Sequence, residues 1–176
     1  MVSPSKVIIN AVQRHETAAF FRDIHEESFL SAVQTDIMNR LLIVSNTDIK
    51  MVMIPIKDTQ LVAVNSSHQV VLNTIKKCSF TRIPVYKSDH NNIIGFINVY
   101  DVLCSKKEIT NLYDFVKPIK TISQDTLVTD AMESMQMEKE KIALVVRVAR
   151  KNCVIPVGII TMKDLVEELF GELSSW

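Results

Sequence analysis

The spacing of apolar positions changes along the chain, and the changes predict its elements. From Glu27 to Val44 the period is helical: Leu30, Val33, Ile37, Leu41 and Val44 share one stripe, with Gln34, Asp36, Asn39 and Arg40 off it. Ser45-Asn46-Thr47-Asp48 ends that helix. Then the runs shorten. Leu61–Val64 predicts a strand, Asn65-Ser66-Ser67 a helix start, and Val70, Val71, Ile75 and Cys78 the buried face of the helix. Arg82–Tyr86 is β-rich, Ser88–Asn92 is a turn cluster, Ile93–Ile97 is a second strand, and Val99–Cys104 opens another helix. The order then returns. Lys120–Ile122 is a strand, and Ser123–Thr126 starts a helix with Leu127, Val128, Ala131, Met132 and Met135 inward. Strands Ile142–Val148 and Val154–Ile160 form a hairpin through Ala149–Cys153, and Met162–Phe170 is a last helix stopped by Gly171 as its C-cap.

Each half therefore reads β-α-β-β-α, and the halves share sequence. Gly95-Phe96-Ile97-Asn98-Val99-Tyr100-Asp101 and Gly158-Ile159-Ile160-Thr161-Met162-Lys163-Asp164 are 63 residues apart, as are Pro55-Ile56-Lys57 and Pro118-Ile119-Lys120. An internal repeat of that length means two copies of one supersecondary unit. A unit of about 60 residues is marginal alone; two packed sheet to sheet give one viable core. The fold class is α+β: two repeats related by a pseudo-twofold, after an N-terminal helix.

Composition narrows the function. Twenty basic and twenty acidic residues cancel, which argues against a broad nucleic-acid footprint. Lys139, Lys141, Arg147, Arg150 and Lys151 form a local basic cluster, read as a solvated edge. Cys78, Cys104 and Cys153 are three widely spaced thiols, as in a reducing compartment. There is no signal-peptide pattern, and the longest apolar runs are too short to span a membrane. His15, His25, His68 and His90 lack ligand spacing, so no metal site is expected. No phosphate loop of the Gly-x-x-x-x-Gly-Lys kind and no nucleophile-plus-base pattern occurs, so no catalytic residue is assigned and an enzyme is not expected.

The chemistry lies in the repeated heptapeptide. Thr161-Met162-Lys163-Asp164 fits a capping box, with Thr161 as N-cap and Asp164 at the third helical position. The same geometry suits a nucleotide. A helix N-terminus offers free N–H groups to phosphate, a hydroxyl adds a donor, and an aspartate one turn on accepts from ribose hydroxyls. The preceding glycine permits close approach to the backbone.

With this repeat the chain resembles a tandem pair of cystathionine-β-synthase (CBS) domains, a Bateman module, over about residues 47–173. Many such domains bind adenine nucleotides through Gly-h-h-Ser/Thr-x-x-Asp, where h is apolar. Asn46–Pro55, Phe80–Tyr86 and Thr161–Leu173 further resemble the CorC and cyclin-M (CNNM) hemolysin-like cation-transport mediators, and Arg14–Ala18 is similar to the segment that follows their membrane domain. That resemblance implies residues 1–46 as N-terminal arm and linker helix, 47–105 as the first CBS repeat, 106–114 as linker and 115–173 as the second. It implies a homodimer on the cytoplasmic face of the cell membrane, as the soluble part of a membrane protein. The dimer would bind ATP or AMP, with Mg²⁺ accompanying ATP, and would regulate a membrane domain that moves magnesium or another divalent cation. Carried over by residue, the better site pairs Thr161 and Asp164 with Phe80, Thr81 and Arg82, the arginine meeting phosphate. By the pseudo-twofold a poorer site pairs Asn98 and Asp101 with Lys141. Lys163 stands where the family usually has an acid, and Arg147–Asn152 replaces an acidic loop of the bacterial members. The alternatives are a degenerate CBS pair that only dimerises and a regulatory module of a soluble enzyme.

Overall fold

The structure, a computed structural model, describes residues 31–78, 80–105, 111–149 and 153–171. The chain divides into two compact units, residues up to Ile43 and residues from Val44 onward. The predicted arm segment Arg14–Ala18 and the first residues of the predicted helix, Glu27–Leu30, lie outside the described residues. The helix, α1 (Ala32–Val44), is entered through a reciprocal pair of bonds. Gln34 N donates to Ser31 Oγ at 3.3 Å and Ser31 N donates to Gln34 Oε1 at 2.8 Å. Val33 and Leu41, predicted on the apolar stripe, are exposed. The helical period groups residues on a face without requiring that the face be covered.

The second unit runs α2 (Ile49–Val52), β1 (Ile54–Pro55), a 3-10 turn (Ile56–Asp58), β2 (Val62–Ala63), α3 (His68–Lys77), β3 (Arg82–Lys87), β4 (Asp89–Asn98) and α4 (Val99–Cys104). It continues through a 3-10 turn (Leu112–Phe115), β5 (Lys120–Ser123), α5 (Val128–Met137), β6 (Ile142–Val148), β7 (Val154–Thr161) and α6 (Met162–Phe170). One sheet has the order β2-β3-β4 and the other β1-β7-β6-β5. Within each half the first strand pairs parallel with the second, and the second pairs antiparallel with the third. This is the α+β arrangement expected of two copies of one unit.

The leading segment of each half docks on the other half. Ile54 and Pro55 pair with Ile159 and Gly158 of β7. In the matching place, Phe96 N donates to Lys117 O at 3.0 Å and Lys117 N to Phe96 O at 2.8 Å. The cores cross in the same way. Ile49 is buried with Ile122, Val128, Met135, Ile160 and Leu165, while Leu112 is buried with Val71, Ile75, Ile83, Val85 and Val102. A third cluster of Phe96, Ile142, Leu144, Val146 and Ile159 joins the two sheets. The halves are interlocked, and removing either would expose the core of its neighbour.

Exchange also explains the paired glycines. A Cβ on Gly95 would lie 2.2 Å from Lys117 O, and one on Gly158 would lie 2.6 Å from Ile54 O. Close approach does occur at each glycine, and the approaching group is the backbone of the exchanged segment.

Strand register refines the repeat. From β4 to β7 the offset is 63, with Asn98 matching Thr161, but from β3 to β6 it is 60, so Arg82 matches Ile142 and Val85 matches Val145. The longer connection before β2 accounts for three residues in the first half, and the longer β6–β7 connection restores them in the second. Other expectations shift locally. Val70, predicted inward, is half exposed, because Val71 and Ile75 at i and i+4 already define the face of α3 that meets the core. The helix expected to start at Ser123–Thr126 starts at Val128, because the carbonyls of Gln124 and Thr126 accept from Lys50 N and Ile49 N. The turn predicted over Ser88–Asn92 narrows to Ser88, with φ of 66°, and β4 begins at Asp89. Gly171 caps α6 with φ of 84° as expected, and Met132 and Met135 fill the core of the second half.

Candidate functional site

α6 leaves the end of β7 at Thr161, and its first turn is a complete capping box. Asp164 Oδ2 accepts from Thr161 N at 2.9 Å and from Thr161 Oγ1 at 2.8 Å, and Asp164 N donates to Thr161 Oγ1 at 3.3 Å. All of these bonds meet one carboxylate oxygen or the hydroxyl, so Asp164 Oδ1 carries no hydrogen bond among the described residues. The box therefore holds the carboxylate in place and leaves one oxygen to accept from something else.

This turn borders a cavity of about 620 Å³, lined by Phe80, Thr81, Arg82, Lys141, Ile159, Thr161, Met162, Lys163 and Asp164. The first half supplies Phe80 and Thr81 from just before β3 and Arg82 at its start, and the second half supplies the rest, so the packing of the two halves makes the cavity. The five residues assigned to the better site are together. Its walls are Ile159, Met162 and the partly exposed ring of Phe80. Its charged groups are mostly basic. Arg82 Nη1 donates to Thr81 Oγ1 at 3.3 Å, and neither Arg82 nor Lys141 has a carboxylate partner among the described residues. Lys163 pairs with Glu167 at 3.3 Å along α6. Two of the first three amides of α6 are already used, since Met162 N donates to Lys141 O and Asp164 N to Thr161 Oγ1.

The residues assigned to the poorer site are arranged differently. Asn98 accepts from Tyr100 N at 3.0 Å, two residues on, and forms no reciprocal box with Asp101. Asp101 Oδ2 is 2.6 Å from Lys117 Nζ of the exchanged segment. Lys141 lines the cavity beside Thr161, and by register it matches Thr81. The residue matching Arg82 is Ile142, which is fully buried. Lys141, expected to stand in the poorer site where the better one has Arg82, lies one residue before that match and so falls on the opposite side of the strand from the expected position. Among the described residues no cluster of His, Cys, Asp or Glu could hold a metal ion, and no helix is long and apolar enough to cross a membrane.

Comparison with known proteins gives this geometry a setting. Residues 112–171 match the CBS domain family. The chain is 26% identical over 165 residues to the UPF0053 protein MG146 of Mycoplasma genitalium, covering 92% of this chain and 38% of that protein. It is 22% identical over 165 residues to the magnesium and cobalt efflux protein CorC of Buchnera aphidicola, covering 91% of this chain and 55% of that protein. It thus spans well under two thirds of the length of these relatives. The CBS domain of a bacterial CNNM/CorC family Mg²⁺ transporter in complex with ATP superposes with a TM-score of 0.70 at 18% identity, over 78% of this chain and 97% of that one. The chain contains a CBS domain, and its relatives are UPF0053, CorC and hemolysin-type proteins.

Proposed function

We propose that this CBS-domain chain, with CorC- and hemolysin-type relatives, is a cytosolic regulatory module that binds an adenine nucleotide and controls a divalent-cation transporter. The observation that carries the reading is the convergence, across the two halves, of a basic strand start at Arg82 and a fixed carboxylate with a free oxygen at Asp164 on one cavity. Asp164 Oδ1 would accept from the ribose hydroxyls. Arg82 would hold phosphate as a forked, permanently charged donor. Phe80, Ile159 and Met162 would cover the base. The module would act by linkage: nucleotide favours one arrangement of the two halves and of a symmetric dimer, and that arrangement biases the membrane domain. Of the apolar residues on the helices, Ile75 and Ala131 are buried within the chain, while Val70 is exposed and would offer surface for such a dimer.

Isothermal titration with ATP, ADP, AMP and adenosine tests the binding step. ATP at about 100 times its Kd should stabilise the fold by about 2.7 kcal/mol, a rise in melting temperature on the order of 5–10 °C. Arg82→Gln should weaken ATP more than adenosine. No heat and no shift at millimolar nucleotide, with or without Mg²⁺, would reduce the module to a CBS pair that only associates.

A further inference from the structure

The charge lining the cavity does not suit a metal-bridged ligand. Among the described residues, Arg82, Lys141 and Lys163 line it against a single carboxylate, Asp164. One oxygen of that carboxylate is already taken twice by Thr161. A divalent ion that carries a nucleotide's phosphates normally has one or two protein carboxylates beside it, and octahedral Mg²⁺ is held by oxygen donors. The described lining offers the reverse: cations on both sides of the cleft, two of them without carboxylate partners among the described residues. The amides that usually receive phosphate at a helix start are mostly occupied, by Lys141 O and Thr161 Oγ1. Positive charge for phosphate must therefore come from side chains.

We infer that Arg82, Lys141 and Lys163 form a phosphate subsite that takes the polyphosphate tail directly, so that this module binds ATP without a divalent cation. The inference rests on the nucleotide reading above and deepens it. Arg82 offers a planar fork for two phosphate oxygens, and the lysines neutralise the remaining charge. Mg²⁺ chelated to the tail would lower its net negative charge and bring a cation among cations, so magnesium weakens binding here. Each added phosphate increases affinity. Lys163 can leave Glu167 for the ligand at little cost, because exposed pairs of this kind along a helix are weak.

The test is titration of ATP into the whole chain, once in EDTA and once in millimolar Mg²⁺. The expected result is binding in EDTA at least as tight as in Mg²⁺, an order ATP over ADP over AMP in EDTA, and at least a tenfold loss for ATP in the Arg82→Gln/Lys141→Gln variant. Adenosine affinity in that variant should change less than threefold, which distinguishes a lost phosphate subsite from a damaged fold. Conversely, Lys141→Glu with Lys163→Glu should make ATP binding depend on Mg²⁺. ATP binding that disappears in EDTA and returns with Mg²⁺ in the unmutated protein would overturn the inference while leaving the nucleotide reading intact. Absence of ATP binding in both buffers would overturn the nucleotide reading and this inference with it.

Discussion

The two ends of the pseudo-twofold carry the same heptapeptide spacing and differ in what their aspartates can do. At one end Thr161 and Asp164 close a reciprocal box, and one carboxylate oxygen stays available beside Arg82. At the other, Asn98 bonds Tyr100 instead, Asp101 is held by Lys117, and the buried Ile142 stands where Arg82 would be. Two of these three differences lie outside the motif. Lys117 belongs to the exchanged segment, where its counterpart is Ile54, and Ile142 belongs to a neighbouring strand. A motif fixes the backbone of a helix start, while the side chains brought to it by other segments decide whether it can accept a ligand.

The largest effect should come from the feature the two ends share. Gly95→Ala places a methyl 2.2 Å from Lys117 O, and Gly158→Ala places one 2.6 Å from Ile54 O. Both contacts are with backbone, so relief requires the exchanged segment to move. Overpacking of this kind costs about 1–3 kcal/mol, and the tighter Gly95 site should sit at the upper end, seen as a larger fall in thermal midpoint than for Gly158→Ala. Equal or negligible losses would show that the exchanged segments can shift freely. The next effect separates the ends. Thr161→Ala removes both bonds of the box that use the hydroxyl and should cost about 1 kcal/mol in denaturant unfolding, as loss of a helix cap usually does. Lys117→Ile, which copies Ile54, breaks only a half-exposed ion pair and should change stability by about 0.5 kcal/mol or less.

The fold was legible because the hydrophobic period was. Ile142–Val148 and Met162–Phe170 form as predicted, the first as a short, continuously apolar run rich in β-branched residues and the second as a helical period over nine residues. The Thr161–Asp164 box was also legible, being local. Exchange of the leading segments was not: Ile49 and Leu112 look alike in sequence, and nothing in either says which sheet will bury it. The glycines held the clue, since the repeated spacing before a helix marked a close approach without naming the partner. The Ser31–Gln34 box could have been found from its Ser-x-x-Gln spacing. Lys141 was misplaced for a different reason. Strand pairing sets equivalence, and it makes Ile142, one residue further on, the match of Arg82; a one-residue difference in register is invisible where the two strands share no motif.

The smallest effect concerns how the exchanged segments are tied down. Lys50 reaches Asp48 at 2.6 Å and Asp125 of the second half at 3.0 Å, whereas Tyr113 holds the matching place in the other segment. The bond to Asp48, and then that to Asp125, hold the Lys50 ammonium above its ordinary value. A raised folded value means that the contribution is full below the unfolded value and is lost as pH rises through the folded one. Lys50→Met should therefore lower the thermal midpoint slightly and constantly through neutral pH, and the difference should vanish in strongly alkaline buffer. A difference that grows with pH would contradict this assignment.

The most direct test of unequal ends is the melting-temperature rise given by ATP in two matched variants, Asp164→Ala and Asp101→Ala. Both delete an aspartate from the third position of a helix, so both lose local stability before ligand is added. With ATP at saturating concentration for the unmutated chain, Asp101→Ala should keep nearly the whole rise and Asp164→Ala should lose most of it. An equal loss in both variants, or a loss confined to Asp101→Ala, would contradict the claim that the cavity beside Asp164 is where nucleotide binds.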